Sequence, residues 1–152
     1  MSDNCDFTTV SQDITSAEGI IIHGVNCRGK MGAGVAKAIK LEWPHVYDAY
    51  VDRVNQLGVV ACLGTIQLGK ASSTTLVLNC FTQLNYGHHG KYVSYDAIDS
   101  CMRAFAEFRR VYQINMPLNF AAIGAGTGGG EWSIIKHIIE HHIPSKKFLW
   151  II

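Results

Sequence analysis

The feature that most limits the fold of this chain is a regular alternation between short apolar runs and longer amphipathic stretches. Six runs rich in apolar or β-branched residues predict strands at residues 7–10, 19–23, 64–68, 74–81, 114–123 and 147–152. Four stretches between them predict helices, at residues 32–41, 46–57, 94–111 and 131–142. Several runs are apolar on both faces, and such strands need helices above and below the sheet. The alternation therefore predicts an α/β fold with a mixed, mostly parallel central sheet.

The stretch 94–111 has the clearest helical pattern. Its apolar residues recur at steps of three and four, at Ala97, Ile98, Cys101, Met102, Phe105 and Phe108. Ser94 is placed to cap its start, while Pro44 marks a break between the first two helices and Pro144 ends the last one. We expect the apolar stripe of this helix to lie on the sheet.

Composition and charge restrict the partners of the chain. It has 152 residues, of which 48% are hydrophobic and 16% charged, and this composition is typical of one compact domain over residues 1–152. Thirteen Lys and Arg against twelve Asp and Glu leave a net charge of +1, so no broad basic surface is available to capture nucleic acid or an anionic membrane. A bound anion therefore has to be held by local groups.

The sequence also indicates a compartment. No segment approaches the roughly 20 apolar residues that span a bilayer, and the first ten residues lack the basic-then-apolar pattern of a secretory signal. No two of the five cysteines have C-x-x-C spacing, which favours reduced, mostly core-filling thiols. These cysteines are Cys5, Cys27, Cys62, Cys80 and Cys101. We expect a cytoplasmic protein.

Nine of the fifteen glycines fall in two clusters, each where a predicted strand passes into a helix. The clusters contain Gly24, Gly29, Gly32 and Gly34, and then Gly124, Gly126, Gly128, Gly129 and Gly130. Glycine lets backbone N–H groups approach a ligand without a Cβ in the way, and a helix start adds partial positive charge. Two such loops at equivalent strand ends indicate a diphosphate site, although tight turns remain the alternative for either loop alone.

Two common nucleotide-binding motifs are missing. The segment GKMGAG is not followed by Lys-Ser or Lys-Thr, which disfavours a P-loop nucleotide hydrolase. Gly32-Ala33-Gly34 is followed by Val35-Ala36-Lys37 and so lacks the third glycine of G-x-G-x-x-G. A standard dinucleotide dehydrogenase is therefore a poor fit.

Four segments, in order along the chain, resemble the macro domain family. They read SQDIT at residues 11–15, IIHGVN at 21–26, MGAGVAKAI at 31–39 and GAGTGGGEW at 124–132. The stretch NCFTQ at 79–83, with YG at 86–87, YDA at 95–97 and the G-x-G-x-G-G-G-x-W ending, is most similar to small stand-alone macro domains near the ADP-ribose 1″-phosphate phosphatases and the terminal ADP-ribose glycohydrolases. The resemblance covers nearly the whole chain and implies the three-layer α/β/α macro domain fold and ADP-ribose binding.

The resemblance also implies a set of ligand contacts. Asp13, with Ile14 beside it, matches the acidic residue that accepts a hydrogen bond from the adenine amino group, although a short carboxylate at a strand end can also cap a turn. Asn26 matches the asparagine that contacts the distal ribose, where its amide can donate and accept at once. The alternative is a loop asparagine bonded to its own backbone. The predicted ligand-binding residues are Asp13, Ile14, Asn26, Gly32, Ala33, Gly34, Val35, Gln83, Gly124, Ala125, Gly126, Thr127, Gly128 and Gly129.

Three residues are candidates for catalysis. His23 is a candidate acid or base beside the distal ribose, because imidazole titrates near neutral pH. Glu131 is a second candidate base, and Lys30 could pair with a terminal phosphate. The alternatives are a buried histidine, an acid that stabilises a helix start and an exposed lysine. The glycohydrolases with a lysine nucleophile and a loop aspartate differ, since the corresponding residues 81–83 and 127–129 here are Phe-Thr-Gln and Thr-Gly-Gly.

We therefore expect the protein to bind ADP-ribose and to act as a hydrolase that removes the phosphate from ADP-ribose 1″-phosphate or a related derivative. We expect this reaction to need no cofactor. A non-catalytic ADP-ribose reader and an ADP-ribosyl hydrolase acting on modified protein or nucleic acid are the alternatives. The expected partners are ADP-ribose, its derivatives or ADP-ribosylated macromolecules, with no membrane and no sequence-specific nucleic acid. His137, Glu140 and His141 fit the H-x-x-E-H pattern of one zinc peptidase group, but no Asp or Glu follows as a further ligand, so we expect no metal.

Overall fold

The computed structural model describes residues 7–87, 90–126 and 128–151. The strands are β1 (Phe7–Val10), β2 (Gly19–Asn26), β3 (Ile66–Lys70), β4 (Thr75–Gln83), β5 (Leu118–Phe120) and β6 (Lys147–Trp150). The helices are α1 (Gly34–Glu42), α2 (Pro44–Leu57), α3 (Val59–Cys62), α4 (Tyr95–Tyr112) and α5 (Trp132–His142), with a 3-10 turn at Ile14–Ser16. Strands and helices alternate along most of the chain, as the apolar pattern predicts.

The strands form one six-stranded sheet in the order β1-β6-β5-β2-β4-β3. All neighbouring pairs are parallel except β3 and β4, which are antiparallel. The predicted mixed, mostly parallel sheet is therefore confirmed. In such a sheet the carboxyl ends of β1, β6, β5, β2 and β4 lie at one edge, where α/β proteins commonly bind ligands.

Helices cover both faces of the sheet, and strand β2 shows why. Successive side chains of a strand point to opposite faces. Ile20 and Ile22 pack into a core with residues of α4 and α5, whereas Ile21 packs with residues of α1 and α2 on the other face. All three side chains are fully buried. The sheet thus lies between two helical layers, as predicted.

Helix α4 follows the sequence prediction closely. The Ser94 hydroxyl accepts a hydrogen bond from the Ala97 N–H at 3.1 Å, which is the predicted N-terminal cap. The predicted stripe is buried against the sheet at Ala97, Ile98, Cys101, Met102 and Phe105, whereas its last member, Phe108, is only half-buried. The cap and the stripe together hold this helix over the end of β4.

Several element boundaries differ from the prediction, among them those of β5, β2 and α2. The strand expected over 114–123 is only Leu118–Phe120, because Pro117 before it has no N–H for the ladder and the pairing with β2 and β6 ends at Phe120. Strand β2 continues past residue 23 to Asn26, since β4 pairs with it along its whole length. Pro44 is the first residue of α2, where its missing donor costs nothing, and so begins a helix at the predicted break.

Helix α3, Val59–Cys62, was not expected from the sequence. It is a single turn that starts after Gly58, whose φ of 86° lets the chain reverse at the end of α2. In the described residues, no helix is both long and apolar enough to cross a membrane. Cys27, Cys62, Cys80 and Cys101 are buried free thiols, as core-filling residues would be, and Cys5 lies outside the described residues.

Candidate functional site

A cavity of about 630 Å³ opens at the carboxyl ends of the parallel strands. Its size is within the ~300–1,000 Å³ that is usual for small-molecule and cofactor sites. It lies between the loop that follows β2 and the loop that follows β5. Its lining residues are His23, Gly24, Val25, Asn26, Lys30, Gly32, Ala33, Gly34, Val35, Ala36, Gln83, Tyr86, Gly87, Ala121, Ala122, Ile123, Gly124, Gly126, Gly128, Trp150 and Ile151.

The first glycine loop leads directly into α1. Its last residue, Ala33, carries no side-chain cap, so the N–H groups of the first turn of α1 have no capping partner. Gly34, Val35 and Ala36 of that turn line the cavity. Unpartnered donors and the positive end of the helix dipole together favour an anion at this place.

Two glycines of the first loop have room around them, whereas a Cβ at Gly24 would lie 2.8 Å from the Thr82 hydroxyl oxygen. A Cβ added at Gly32 or Gly34 would meet no atom of the described chain within 4 Å. Gly34 has a φ of 58°, which other residues adopt less readily, so the backbone explains this glycine. Gly32 has neither a positive φ nor a close neighbour, and packing therefore gives no reason for a glycine there.

Most glycines of the second loop have a structural reason. A Cβ at Gly124 or Gly130 would lie 2.5 or 2.7 Å from Val93, and one at Gly129 would lie 2.3 Å from the Gly90 carbonyl oxygen. These glycines let the loop pack against the segment 90–93, and the N–H of Val93 donates to the Gly128 oxygen at 3.0 Å.

Gly126 is the exception in the second loop. A Cβ there would meet nothing within 4 Å in the described residues, and its φ is not positive. Gly32 and Gly126 therefore line the cavity from its two loops without a packing reason for being glycine.

Asn26, at the end of β2, is almost fully engaged within its own loop. Its Oδ1 accepts hydrogen bonds from the Tyr50 hydroxyl at 2.9 Å and from the Arg28 N–H at 2.9 Å, and its Nδ2 donates to the Lys30 oxygen at 2.8 Å. The Lys30 N–H lies 3.4 Å from the same oxygen as a third donor, so the two lone pairs of Oδ1 are fully used. The structure thus corrects the predicted amide that donates and accepts at once, since only a donor hydrogen on Nδ2 remains for a ligand.

His23 is buried, with 1% of its surface exposed. Its Nε2 lies 2.6 Å from Asn79 Oδ1, while its Nδ1 is buried without a partner in the described chain. Burial lowers the pKa of His23 to about 4, and the hydrogen bond with Asn79 opposes this only in part. The ring is therefore neutral near pH 7, and this environment works against the predicted acid–base role.

Lys30 and Glu131 occupy different places. The Lys30 side chain is exposed and the residue lines the cavity, whereas Glu131 is exposed and is not among the described residues that line it. The Glu131 N–H donates to the Tyr95 hydroxyl at 3.1 Å, and its side chain makes no capping bond to α5. Glu131 is thus not a lining residue of the described cavity, and its catalytic role stays a prediction.

Asp13 and Ile14 lie after β1 and outside the cavity lining of the described residues. Asp13 Oδ1 accepts hydrogen bonds from the Thr15 N–H at 2.9 Å and the Thr15 hydroxyl at 2.8 Å, and these bonds lower the pKa of its carboxyl group. Asp13 therefore caps the 3-10 turn, and Ile14 is buried in the core below it. Their predicted adenine contact stays a prediction.

Among the other predicted contacts, Gln83 lines the cavity, and its Nε2 donates to the Asn85 oxygen at 2.7 Å. Ala125 and Gly129 belong to the second loop but are not among the described lining residues. Thr127 lies outside the described residues.

Trp150 and Tyr86 are cavity residues that the sequence reasoning missed. The Trp150 Nε1–H donates to Asn119 Oδ1 at 2.8 Å, which holds the indole beside β5, and Tyr86 is 54% exposed. An aromatic residue at the carboxyl end of the last strand was the available signal for Trp150. It was not used because sequence does not show that β6 lies beside β5.

The H-x-x-E-H pattern lies on α5, away from the cavity lining. His142, next to it, bonds through Nε2 to Asp99 Oδ1 of α4 at 2.6 Å, which joins the two helices. Within the described part of the chain, no group of three or more His, Cys, Asp or Glu residues is arranged to hold a metal ion.

Comparison with known proteins places the chain in a family. A Macro domain family model matches residues 22–139. An uncharacterized 17.5 kDa protein from the tk-vs intergenic region of Enterobacteria phage T4 is 31% identical over 121 residues, which are 79% of this chain and 77% of the phage protein. A short segment of 38 residues is 47% identical to an ADP-ribose 1″-phosphate phosphatase of Meyerozyma guilliermondii and covers 25% of this chain and 22% of that enzyme.

The fold is also similar to solved structures. Thermosipho africanus DarTG, solved in complex with ADP-ribose, superposes with a TM-score of 0.78 and 20% identity, over 97% of this chain and 43% of that one. A likeness at this identity concerns the fold, whereas the family match spans most of the chain, including both glycine loops and most residues that line the cavity. The protein therefore belongs to the macro domain family.

Proposed function

We propose that this protein binds ADP-ribose or an ADP-ribose derivative in the cavity between the two glycine loops. The observation that carries the proposal is the pair Gly32 and Gly126, which line the cavity and have no packing reason to lack a side chain. A glycine without a structural reason is expected where a ligand approaches the backbone closely. Binding of ADP-ribose by a structural neighbour supports the choice of ligand.

The chemistry of the cavity fits the parts of this ligand. The uncapped first turn of α1 offers the N–H groups of Gly34, Val35 and Ala36 to a diphosphate. Asn26 offers a donor to an oxygen of the distal sugar, and Trp150 offers an apolar ring to the remaining wall. Asp13 follows β1, whose last residue pairs with Trp150, so an adenine directed to that end would approach it.

We also propose that the protein removes the terminal phosphate from ADP-ribose 1″-phosphate after binding it. This proposal is supported by the short similarity to the yeast phosphatase and the exposed Lys30 ammonium at the cavity, which can pair with a phosphate. The neutral His23 and the exposed Glu131 instead favour the alternative of a reader that holds free or macromolecule-linked ADP-ribose without cleaving it.

One experiment separates these functions. Purified protein is titrated with ADP-ribose in a calorimeter, and the same sample is incubated with ADP-ribose 1″-phosphate and assayed for inorganic phosphate. We expect saturable binding of ADP-ribose. Binding with phosphate release indicates the phosphatase, binding without release indicates the reader, and no binding at millimolar ADP-ribose would refute the proposed function.

A further inference from the structure

Two tyrosines of α2 support the first glycine loop from behind. Tyr47 and Tyr50 are three residues apart and therefore share one face of the helix. The Tyr47 hydroxyl donates to the Gly29 carbonyl oxygen at 3.0 Å. The single hydrogen of the Tyr50 hydroxyl is shared between the Asn26 carbonyl oxygen at 2.7 Å and Asn26 Oδ1 at 2.9 Å. Neither tyrosine lines the cavity in the described chain, so each can affect a ligand only through the loop.

Tyr50 is held more firmly than Tyr47. It is 0% exposed, and its ring stacks on Phe81 of β4 with centroids 5.7 Å apart and an interplanar angle of 28°. Burial raises the pKa of its phenol, so the hydroxyl keeps its proton across the physiological range. A buried phenol in a fixed position is a dependable hydrogen-bond donor.

The hydrogen bond from the Tyr50 hydroxyl helps to fix the orientation of the Asn26 side-chain amide. With Tyr50 and the Arg28 N–H on Oδ1, and with the Lys30 oxygen accepting from Nδ2, the oxygen of the amide is directed away from any ligand. One hydrogen of Nδ2 remains without an acceptor in the described residues. Without the Tyr50 hydroxyl, the amide would lose one of its four contacts, and Oδ1 would keep the Arg28 N–H at 2.9 Å and the more distant Lys30 N–H at 3.4 Å.

We propose that Tyr50 is a positioning residue, whose hydroxyl turns the Asn26 amide so that this part of the cavity donates one hydrogen bond to an acceptor oxygen of the ligand. The inference rests on the proposed function, because it assumes ADP-ribose in the cavity. The inference adds a chemical preference, namely that the ligand group beside Asn26 accepts a hydrogen bond from the Asn26 side-chain amide. The distal ribose, absent from ADP, supplies that oxygen.

The test compares ADP-ribose with ADP in the wild type and in Tyr50→Phe. Loss of one neutral hydrogen bond predicts an affinity for ADP-ribose that falls about three- to tenfold, with the affinity for ADP changed less than about twofold. Tyr112→Phe is the matched control, because Tyr112 is 65% exposed and far along α4. In an Asn26→Ala background, adding Tyr50→Phe should change the affinity for ADP-ribose by less than about twofold.

The outcomes are distinct. The role of Tyr50 would be overturned if Tyr50→Phe left the affinity for ADP-ribose unchanged or lowered the affinities for ADP and ADP-ribose equally. It would also be overturned if Tyr50→Phe lowered the affinity for ADP-ribose as much in the Asn26→Ala background as in the wild type. A wild type that binds no ADP-ribose would remove the proposed function itself and this inference with it. If Tyr50→Phe does not fold, the side-chain amide protons of Asn26 are followed by NMR in the wild type. One of the two should shift with ADP-ribose but not with ADP, and equal responses would contradict the proposal.

Discussion

The two glycine loops look alike in sequence but differ in what their glycines do. In the second loop, Gly124, Gly129 and Gly130 leave no room for a Cβ, because the segment 90–93 packs directly against them. In the first loop, a Cβ at Gly32 or Gly34 would meet open space. The second loop is therefore glycine-rich mainly because it packs closely, whereas in the first loop Gly29 and Gly34 are explained by a positive φ and only Gly32 has neither reason.

The difference shows how to separate ligand-facing glycines from structural ones. A glycine with a positive φ or a blocked Cβ is explained by the fold, and it says little about a ligand. Gly32 and Gly126 have neither property, and both line the cavity. This criterion reduces two glycine-rich loops to two positions at which binding and stability can be tested separately.

Substitution of a structural glycine should lower the stability of the fold more than any other change considered. Gly129→Ala places a Cβ 2.3 Å from the Gly90 oxygen at a φ of 75°, so both sterics and backbone strain oppose it. We expect the free energy of unfolding in urea to fall by about 3 kcal/mol or more. Gly69→Ala is the control, because a Cβ there meets nothing within 4 Å and its φ is not positive. Equal stability of the two variants would contradict the architectural role of the second loop.

The strand that leads into the first loop should make stability depend on pH. The pKa of His23 is about 4 in the fold against 6.5 in the unfolded chain, so the unfolded chain takes up its proton first as the pH falls. The free energy of unfolding should therefore fall by about 3 kcal/mol in total as the pH drops from 6.5 to 4, and it should not depend on the protonation of His23 above pH 6.5. Urea unfolding of the wild type should therefore depend on pH more steeply than that of His23→Gln. Parallel curves would show that His23 is not held neutral.

The smallest effect should appear in binding rather than in stability. Gly32→Ala and Gly126→Ala each add a methyl group at the cavity wall where the fold has room for it. We expect the affinity for ADP-ribose to fall about tenfold, equivalent to about 1.4 kcal/mol, while the free energy of unfolding stays unchanged. Calorimetry and urea unfolding on the same samples measure both, with Gly69→Ala as the control. Loss of stability without loss of affinity would place these glycines with the structural ones.

Local patterns were sufficient for much of the fold. The apolar stripe of α4 and its Ser94 cap depend on residues within a few positions of one another, and both are confirmed. The end of β5 could not be read in this way, because its apolar run continues past the residues that pair with β2 and β6. The same holds for α3, whose four residues carry too little periodicity to distinguish a helical turn from a loop.

For the site residues, too, local motifs predicted the positions but not the hydrogen-bond partners. Asn26 and Lys30 were placed at the cavity by motif and chain order. The partners that define their chemistry are distant in sequence: Asn79 for His23, Tyr50 for Asn26 and Asn119 for Trp150. A motif indicates which residue types occur together, but a hydrogen bond across strands or helices depends on the packing that brings them within about 3 Å.

By itself, the sequence determined the order of strands and helices, the two glycine loops and the family to which they belong, because these follow from local periodicity and local motifs. Only the tertiary structure decided which glycines line the cavity without a packing reason, that His23 is buried beside Asn79, that the Asn26 side chain keeps only a donor free, and that Trp150 forms part of the cavity wall. The physical reason is that burial, pKa and hydrogen-bond saturation are set by neighbours in space, and for these residues the decisive neighbours come from other elements of the fold.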